Sequence, residues 1–182
     1  GDVVVAANAI LLNLFMFGAY GLDGFAYAAE SLVGEAKGQG DHQKLHQVVV
    51  SSGCFSAVVA IVFSVVLFWG GESWINFLTN ITAVQTTALA YLPWLVAISL
   101  VGWLSFLMDG VYIGLTRSKV MRNSMLLSAL VFFSVFYLSQ NLANHGLWLA
   151  FLAFMVARGI SLSLDYWRMH TKGTLVKEIQ AK

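Results

Sequence analysis

Four ionisable side chains sit inside long apolar runs of this sequence: Asp23, Glu30, Asp109 and Arg158. A charged group near the centre of a bilayer costs about 2.5–3.5 kcal/mol on insertion scales, so it needs either compensation or a use. The use open to a carboxylate there is to bind a proton or a cation. Asp23 lies 14 residues before Lys37, about 21 Å along a helix, which is near mid-membrane. Glu30 is about 10 Å from the same lysine, and Asp109 about 12 Å from Arg117, both in the inner half. Asp23 and Glu30 are seven residues apart and share one helical face.

The residues around these groups extend the reading. Gly18, Gly21 and Gly24 flank Asp23 at a spacing of three, a small-residue face that admits a neighbouring backbone and loosens the helix. Asn8 and Asn13 add polar groups to the same run. Tyr112 follows Asp109 by one turn and can donate or accept a hydrogen bond. Each acid also has a structural reading, a hydrogen bond that ties one helix to another, and the approach of Glu30 to the interface favours that reading there. Arg158 lies about 15 Å from Arg168, so it either snorkels toward water or pairs with one of the carboxylates.

Signatures of bond-making chemistry are missing. There is no phosphate-binding P-loop, no H-E-x-x-H and no G-x-S-x-G, and an enzyme is not expected. His42 and His46 lie four apart beside Asp41 in a stretch that reads as an exposed loop, a poor basis for a metal site, and no metal or resident cofactor is expected. Cys54 is the single cysteine of the chain and reads as a small packing residue.

The elements that must position these groups follow from the solvent. Of the 182 residues, 59% are hydrophobic and only 10% charged, against about 25% charged in a soluble domain. A chain of this size cannot enclose so much apolar surface, so lipid is part of its solvent. A formal net charge of +1 gives no basic face for phosphates, and nucleic acid is not an expected partner. About 20 apolar residues span a bilayer core, and five stretches qualify, at about 4–33, 48–69, 87–115, 123–142 and 147–164. They are too long for strands and show no dyad alternation, so an all-α polytopic membrane protein is expected. Residues 1–170 form one transmembrane lobe in this reading. The segment Gly70–Leu78 reads as an aromatic stretch lying flat at the outer interface, and residues 171–182 as a cytoplasmic tail.

Lysine and arginine test the direction. Lys37 and Lys44 follow the first span, Arg117, Lys119 and Arg122 the third, and Arg168, Lys172, Lys177 and Lys182 the fifth. The connections near 70–86 and 143–146 carry none. The alternation places the C-terminus in the cytoplasm and the N-terminus outside. The first residues do not form a signal peptide and lack an initiator methionine, which reads as a start inside a longer protein.

Several segments resemble a known family. Gly21-Leu22-Asp23-Gly24, with Ala29-Glu30-Ser31-Leu32-Val33-Gly34 and Gly38-Gln39-Gly40-Asp41, is similar to the second helix and following loop of a lobe of the MATE (multidrug and toxic compound extrusion) family. Asp109 to Arg117, ending in Met121-Arg122-Asn123-Ser124, is similar to the fourth helix of such a lobe. With Asn144 to Trp148 and Arg158 to Leu162, the order and spacing look closest to the DinF branch. The resemblance implies twelve helices in two lobes, with this chain as helices eight to twelve, about half of the transporter. It implies export of organic cations, drugs or toxic amphiphiles across a bacterial inner membrane, driven by Na⁺ or H⁺. Asp109 matches an acid that contributes to a cation site in the sodium-coupled branch. The partner acid on the seventh helix, and the coupling carboxylates that the DinF branch carries in its N-terminal lobe, have no match here.

The expected function is therefore cation-coupled antiport. Asp109, Asp23, Glu30 and Tyr112 are the cavity candidates and Arg158 the candidate ion-pair partner. The expected partners are the bilayer, a small organic substrate and the missing N-terminal lobe. Two rivals remain: a flippase for lipid-linked oligosaccharides, which would need a more cationic cavity, and a non-transporting membrane scaffold.

Overall fold

Every backbone N–H and C=O in a lipid environment must find its partner within the chain, and a helix does this segment by segment. In the computed structural model, which describes residues 1–172, the apolar runs are five helices: α1 (Asp2–Gly38), α2 (His42–Leu78), α3 (Thr82–Gly114), α4 (Ser118–Leu138) and α5 (Asn144–Thr171). A single 3₁₀ turn, Gln140–Leu142, links the last two. All five helices are long and apolar enough to cross a membrane. The tail expected from residue 171 lies outside the described residues from 173 onward, and with it Lys177 and Lys182.

Helix α3 is the centre of the bundle, with α1, α2 and α5 packed around it, while α4 leans mainly on α5. Two cores form along its length. One holds Leu11, Leu92, Leu95 and Trp148; the other holds Val33, Leu45, Tyr112 and Leu162. The outward faces stay apolar, with Trp69, Phe77, Leu130 and Phe133 largely exposed, a surface that a bilayer solvates and water does not.

The connection after α1 is far shorter than the sequence suggests. Gly40 takes φ 73° and ends α1, the left-handed position that glycine fills without strain. Asp41 then caps α2, its carboxylate accepting from the Lys44 N–H at 2.9 Å. His42 and His46 therefore lie in the first turns of α2 and not in an exposed loop. Helices of 37 residues reach about 55 Å, beyond a hydrocarbon core of about 30 Å, so both carry their charged ends past the apolar layer.

Three further expectations change. Gly70–Leu78 is not a separate interfacial segment but the last turns of α2. Nothing in it breaks a helix, Ile75 is fully buried, and Gly71 lets Leu92 of α3 press against it. The close helix approach is also elsewhere than at Gly18, Gly21 and Gly24. Gly21 and Gly24 meet nothing within 4 Å, and Gly18 faces the Phe63 ring. The tight crossing is made by Gly110 and Gly114 of α3, where a Cβ would come 2.1 Å from the Ala26 carbonyl oxygen and 2.5 Å from that of Glu30. Small residues four apart on α3 thus let α1 lie directly against it. Cys54, finally, is exposed on the outer face of α2 and packs no core.

Candidate functional site

The α1–α3 crossing fixes Asp109, the residue before Gly110, beside the gap between α3, α4 and α5. Its carboxylate meets Arg158 of α5 in a two-pronged pair: Nε donates to Oδ2 at 3.0 Å and Nη2 to Oδ1 at 2.7 Å. This forked geometry matches guanidinium to carboxylate and makes a strong, oriented ion pair. The Arg158 side chain is 13% exposed and that of Asp109 30%. The third guanidinium nitrogen, Nη1, reaches the Met125 sulfur of α4. The two side chains line a cavity of about 190 Å³ with Ser105, Phe106, Phe154 and Met155. Ser105 is itself anchored, donating from Oγ to the Met155 carbonyl at 2.7 Å. Of the two fates open to Arg158, the structure shows pairing.

Asp23 stands half-buried on α1, three residues before the point where Gly110 presses on Ala26. It is close enough to Asp109 to interact with it electrostatically, and it makes no hydrogen bond among the described residues. Glu30 is two turns beyond Asp23, with its backbone under Gly114. Neither Asp23 nor Glu30 lines the Asp109 cavity. The candidates thus divide into a core pair, Asp109–Arg158, a nearby second acid, and a more distant one.

Tyr112 belongs to a different constellation. Fully buried, it turns its hydroxyl away from Asp109 and donates to Asp165 Oδ2 at 2.7 Å and toward the Leu162 carbonyl at 3.1 Å. Asp165 in turn lies 3.6 Å from Arg117 Nη1, and Arg117 also contacts the Met169 sulfur. Tyr112, expected as a cavity candidate, does not line the Asp109 cavity. Asp165 escaped the sequence reading because the fifth span was ended at Leu164. Its signal was present: it follows Arg158 by seven residues and so lies on the same face of α5.

Two polar clamps hold the helices that carry the site. At one end Asn8 of α1 and Asn144 of α5 exchange reciprocal amide hydrogen bonds at 2.8 and 2.9 Å, and the Trp148 indole donates to Asn8 at 3.0 Å. At the other, Lys37 of α1 donates to the Leu115 carbonyl at 2.5 Å and to the Thr116 hydroxyl at 2.6 Å, just past α3. Lys44 pairs with Glu35 at 2.8 Å. These contacts gather the basic connections at one end of the bundle. His42 and His46 meet His170 there, with the His46 and His170 rings stacked at 4.2 Å. No group of three or more His, Cys, Asp or Glu arranged to hold a metal occurs among the described residues.

The chain is similar to DNA damage-inducible protein F of Escherichia coli (strain K12), with 43% identity over 170 residues, covering 93% of this chain. It spans 37% of the length of that relative. No solved structure matches. The family model MatE matches residues 1–138, about three-quarters of the chain, and those residues form the four long apolar helices α1 to α4: the chain belongs to the MatE family.

Proposed function

We propose that this chain forms one wall of the translocation pathway of a secondary transporter, an antiporter that exports organic cations, drugs or other toxic amphiphiles against an inward flow of Na⁺ or H⁺. Membership of the MatE family and the similarity to DNA damage-inducible protein F support transport. The observation that carries the coupling is the Asp109–Arg158 pair at the edge of a cavity. The guanidinium is an internal cation already seated on the carboxylate. A proton or Na⁺ that reaches Asp109 competes with it, and neutralising the carboxylate releases Arg158 to reposition against α4. Asp23, within electrostatic reach, adds negative potential that favours an arriving cation. The ion drives the exchange only through its differential affinity for the two conformers; inverting a 1:99 balance takes a preference of about 10⁴.

In this reading the substrate undergoes no covalent change, and no resident cofactor takes part. The remainder of the full-length protein supplies the opposite wall. The protein resides in a bacterial inner membrane, with the end that carries Lys37, Lys44 and Arg117 in the cytoplasm, as the lysine and arginine bias requires. An oligosaccharide flippase is less well supported, because Arg158, the one deep basic group among the described residues, is already neutralised by Asp109.

The test is gradient-driven efflux by the full-length protein carrying Asp109→Asn, with the amount of folded protein in the membrane measured alongside. Loss of efflux at normal folded levels is expected. Unchanged efflux would remove Asp109 from the mechanism, and loss of folded protein alone would mark the pair as a scaffold contact.

A further inference from the structure

A second, larger depression lies away from the Asp109 cavity, on the outer face where α2, α3 and α5 meet. Its volume is about 630 Å³, within the range of about 300–1,000 Å³ typical of ligand sites. Val50 and Cys54 of α2, Trp103 and Leu107 of α3, and Leu164 and Trp167 of α5 form its walls. Gly53 keeps the floor open, since a Cβ there would come 3.3 Å from Leu107 Cδ2. Val50, Cys54, Leu164 and Trp167 are exposed at its mouth, so the groove faces the hydrocarbon of the bilayer.

One end of the groove has a different character. On α2, Val50 is continued at steps of four by His46 and then His42, and on α5 Leu164 is continued by Arg168, so these residues extend the same two walls. Tyr166 belongs to both parts. It lines the groove, and its hydroxyl lies 3.2 Å from His46 Nδ1. His170 stacks on His46 at 4.2 Å and on His42 at 5.2 Å. Two ring nitrogens of this group, His42 Nε2 and His170 Nδ1, are buried without a hydrogen-bond partner, and so is Ser163 Oγ in the groove wall. Native proteins rarely leave such atoms unmet. The nearby acids are engaged: Glu35 by Lys44, Asp165 by Arg117 and Tyr112, and Asp41 by the Lys44 backbone. Imidazoles and a phenol therefore stand at this end of the groove, and the exposed Arg168 follows Leu164 by one turn on the same face of α5.

An apolar trough that opens to lipid and ends in hydrogen-bond donors and positive charge has the chemistry of an amphiphile with an anionic head. Basic pockets between transmembrane helices on the cytoplasmic side recognise such lipids. We infer that this groove holds an acyl chain of an anionic phospholipid from the adjoining leaflet, with the headgroup phosphate held by Arg168 and the His42–His46–His170 group. This site does not touch the Asp109 cavity and stands independently of the transport reading.

The experiment is native mass spectrometry of the full-length protein in mild detergent, supplied with phosphatidylglycerol or phosphatidylcholine of identical acyl chains. The wild type is expected to retain phosphatidylglycerol about fivefold better, the effect of roughly one cation near an anionic lipid. Arg168→Gln, at an exposed position that should leave folding intact, reduces that preference, and adding His170→Gln abolishes it, while phosphatidylcholine retention is unchanged. Cys54→Phe fills the trough and lowers retention of both lipids. Equal retention of the two lipids by the wild type would overturn the inference, as would a preference that survives both head substitutions. Crosslinking from Cys54 to another segment of the full-length protein, in place of lipid, would overturn it too, by showing that a helix fills the groove.

Discussion

If Asp109 and Arg158 act as one unit, removing either alone must cost more than removing both. Asp109→Asn leaves a guanidinium whose side chain is only 13% exposed, and Arg158→Gln leaves a carboxylate that is 30% exposed. Breaking a fully buried pair costs about 3–5 kcal/mol, because the remaining charge is stranded. The residual exposure of both groups and the cavity beside them soften this, so about 2–3 kcal/mol is expected for each single change. The double variant strands no charge and leaves two amides that can bond to each other, so it should cost only about 1–2 kcal/mol, the scale of a weakened neutral hydrogen bond. The coupling energy is then about 2–5 kcal/mol, at or above the upper end of what contacting residues show. Equilibrium unfolding of the full-length protein in mixed micelles, titrated with denaturing detergent, measures all four corners of the cycle. Costs that add to within about 0.5 kcal/mol would refute the argument, because that is the behaviour of independent sites.

Three further changes probe the frame around the pair. Gly110→Ala places a methyl 2.1 Å from the Ala26 carbonyl oxygen and should destabilise by about 1–3 kcal/mol as α1 and α3 are forced apart; Gly21→Ala, which meets nothing within 4 Å, is the matched control and should not destabilise in the same unfolding assay. Tyr112→Phe removes the hydroxyl that donates to Asp165 and should cost about 1–2 kcal/mol; since that hydroxyl points away from Asp109, gradient-driven efflux per folded molecule should be retained. Ala143 sits at φ 49° and ψ −125°, a region costly for any side chain, so Ala143→Gly should stabilise by about 1 kcal/mol and raise the thermal midpoint.

Much of this protein follows from composition and spacing. Five long apolar runs determined the number of helices, because lipid leaves a chain of this kind few other ways to satisfy its backbone. The same logic singled out Asp109 and Arg158, since an ionisable group among apolar neighbours is expensive wherever the helix is placed. Helix ends were less legible. Gly70–Leu78 looked like an interfacial segment because it mixes aromatics with polar groups, yet its turns continue α2 once Ile75 and Gly71 have α3 to pack against. Asp165 was lost to the same uncertainty at the end of α5.

What the tertiary structure decided is which groups meet. Arg158 had three acids within plausible reach, and the crossing of α3 and α5 gave it Asp109. Tyr112, one turn after Asp109 in sequence, was turned toward Asp165. The glycines of α1 looked suited to close approach, but the contact was made by Gly110 and Gly114. Sequence spacing determines which face of a helix a side chain occupies, because 3.6 residues per turn is a local property of the backbone. Which neighbour stands opposite that face depends on how several helices fill space at once, and no single stretch of the chain contains that information.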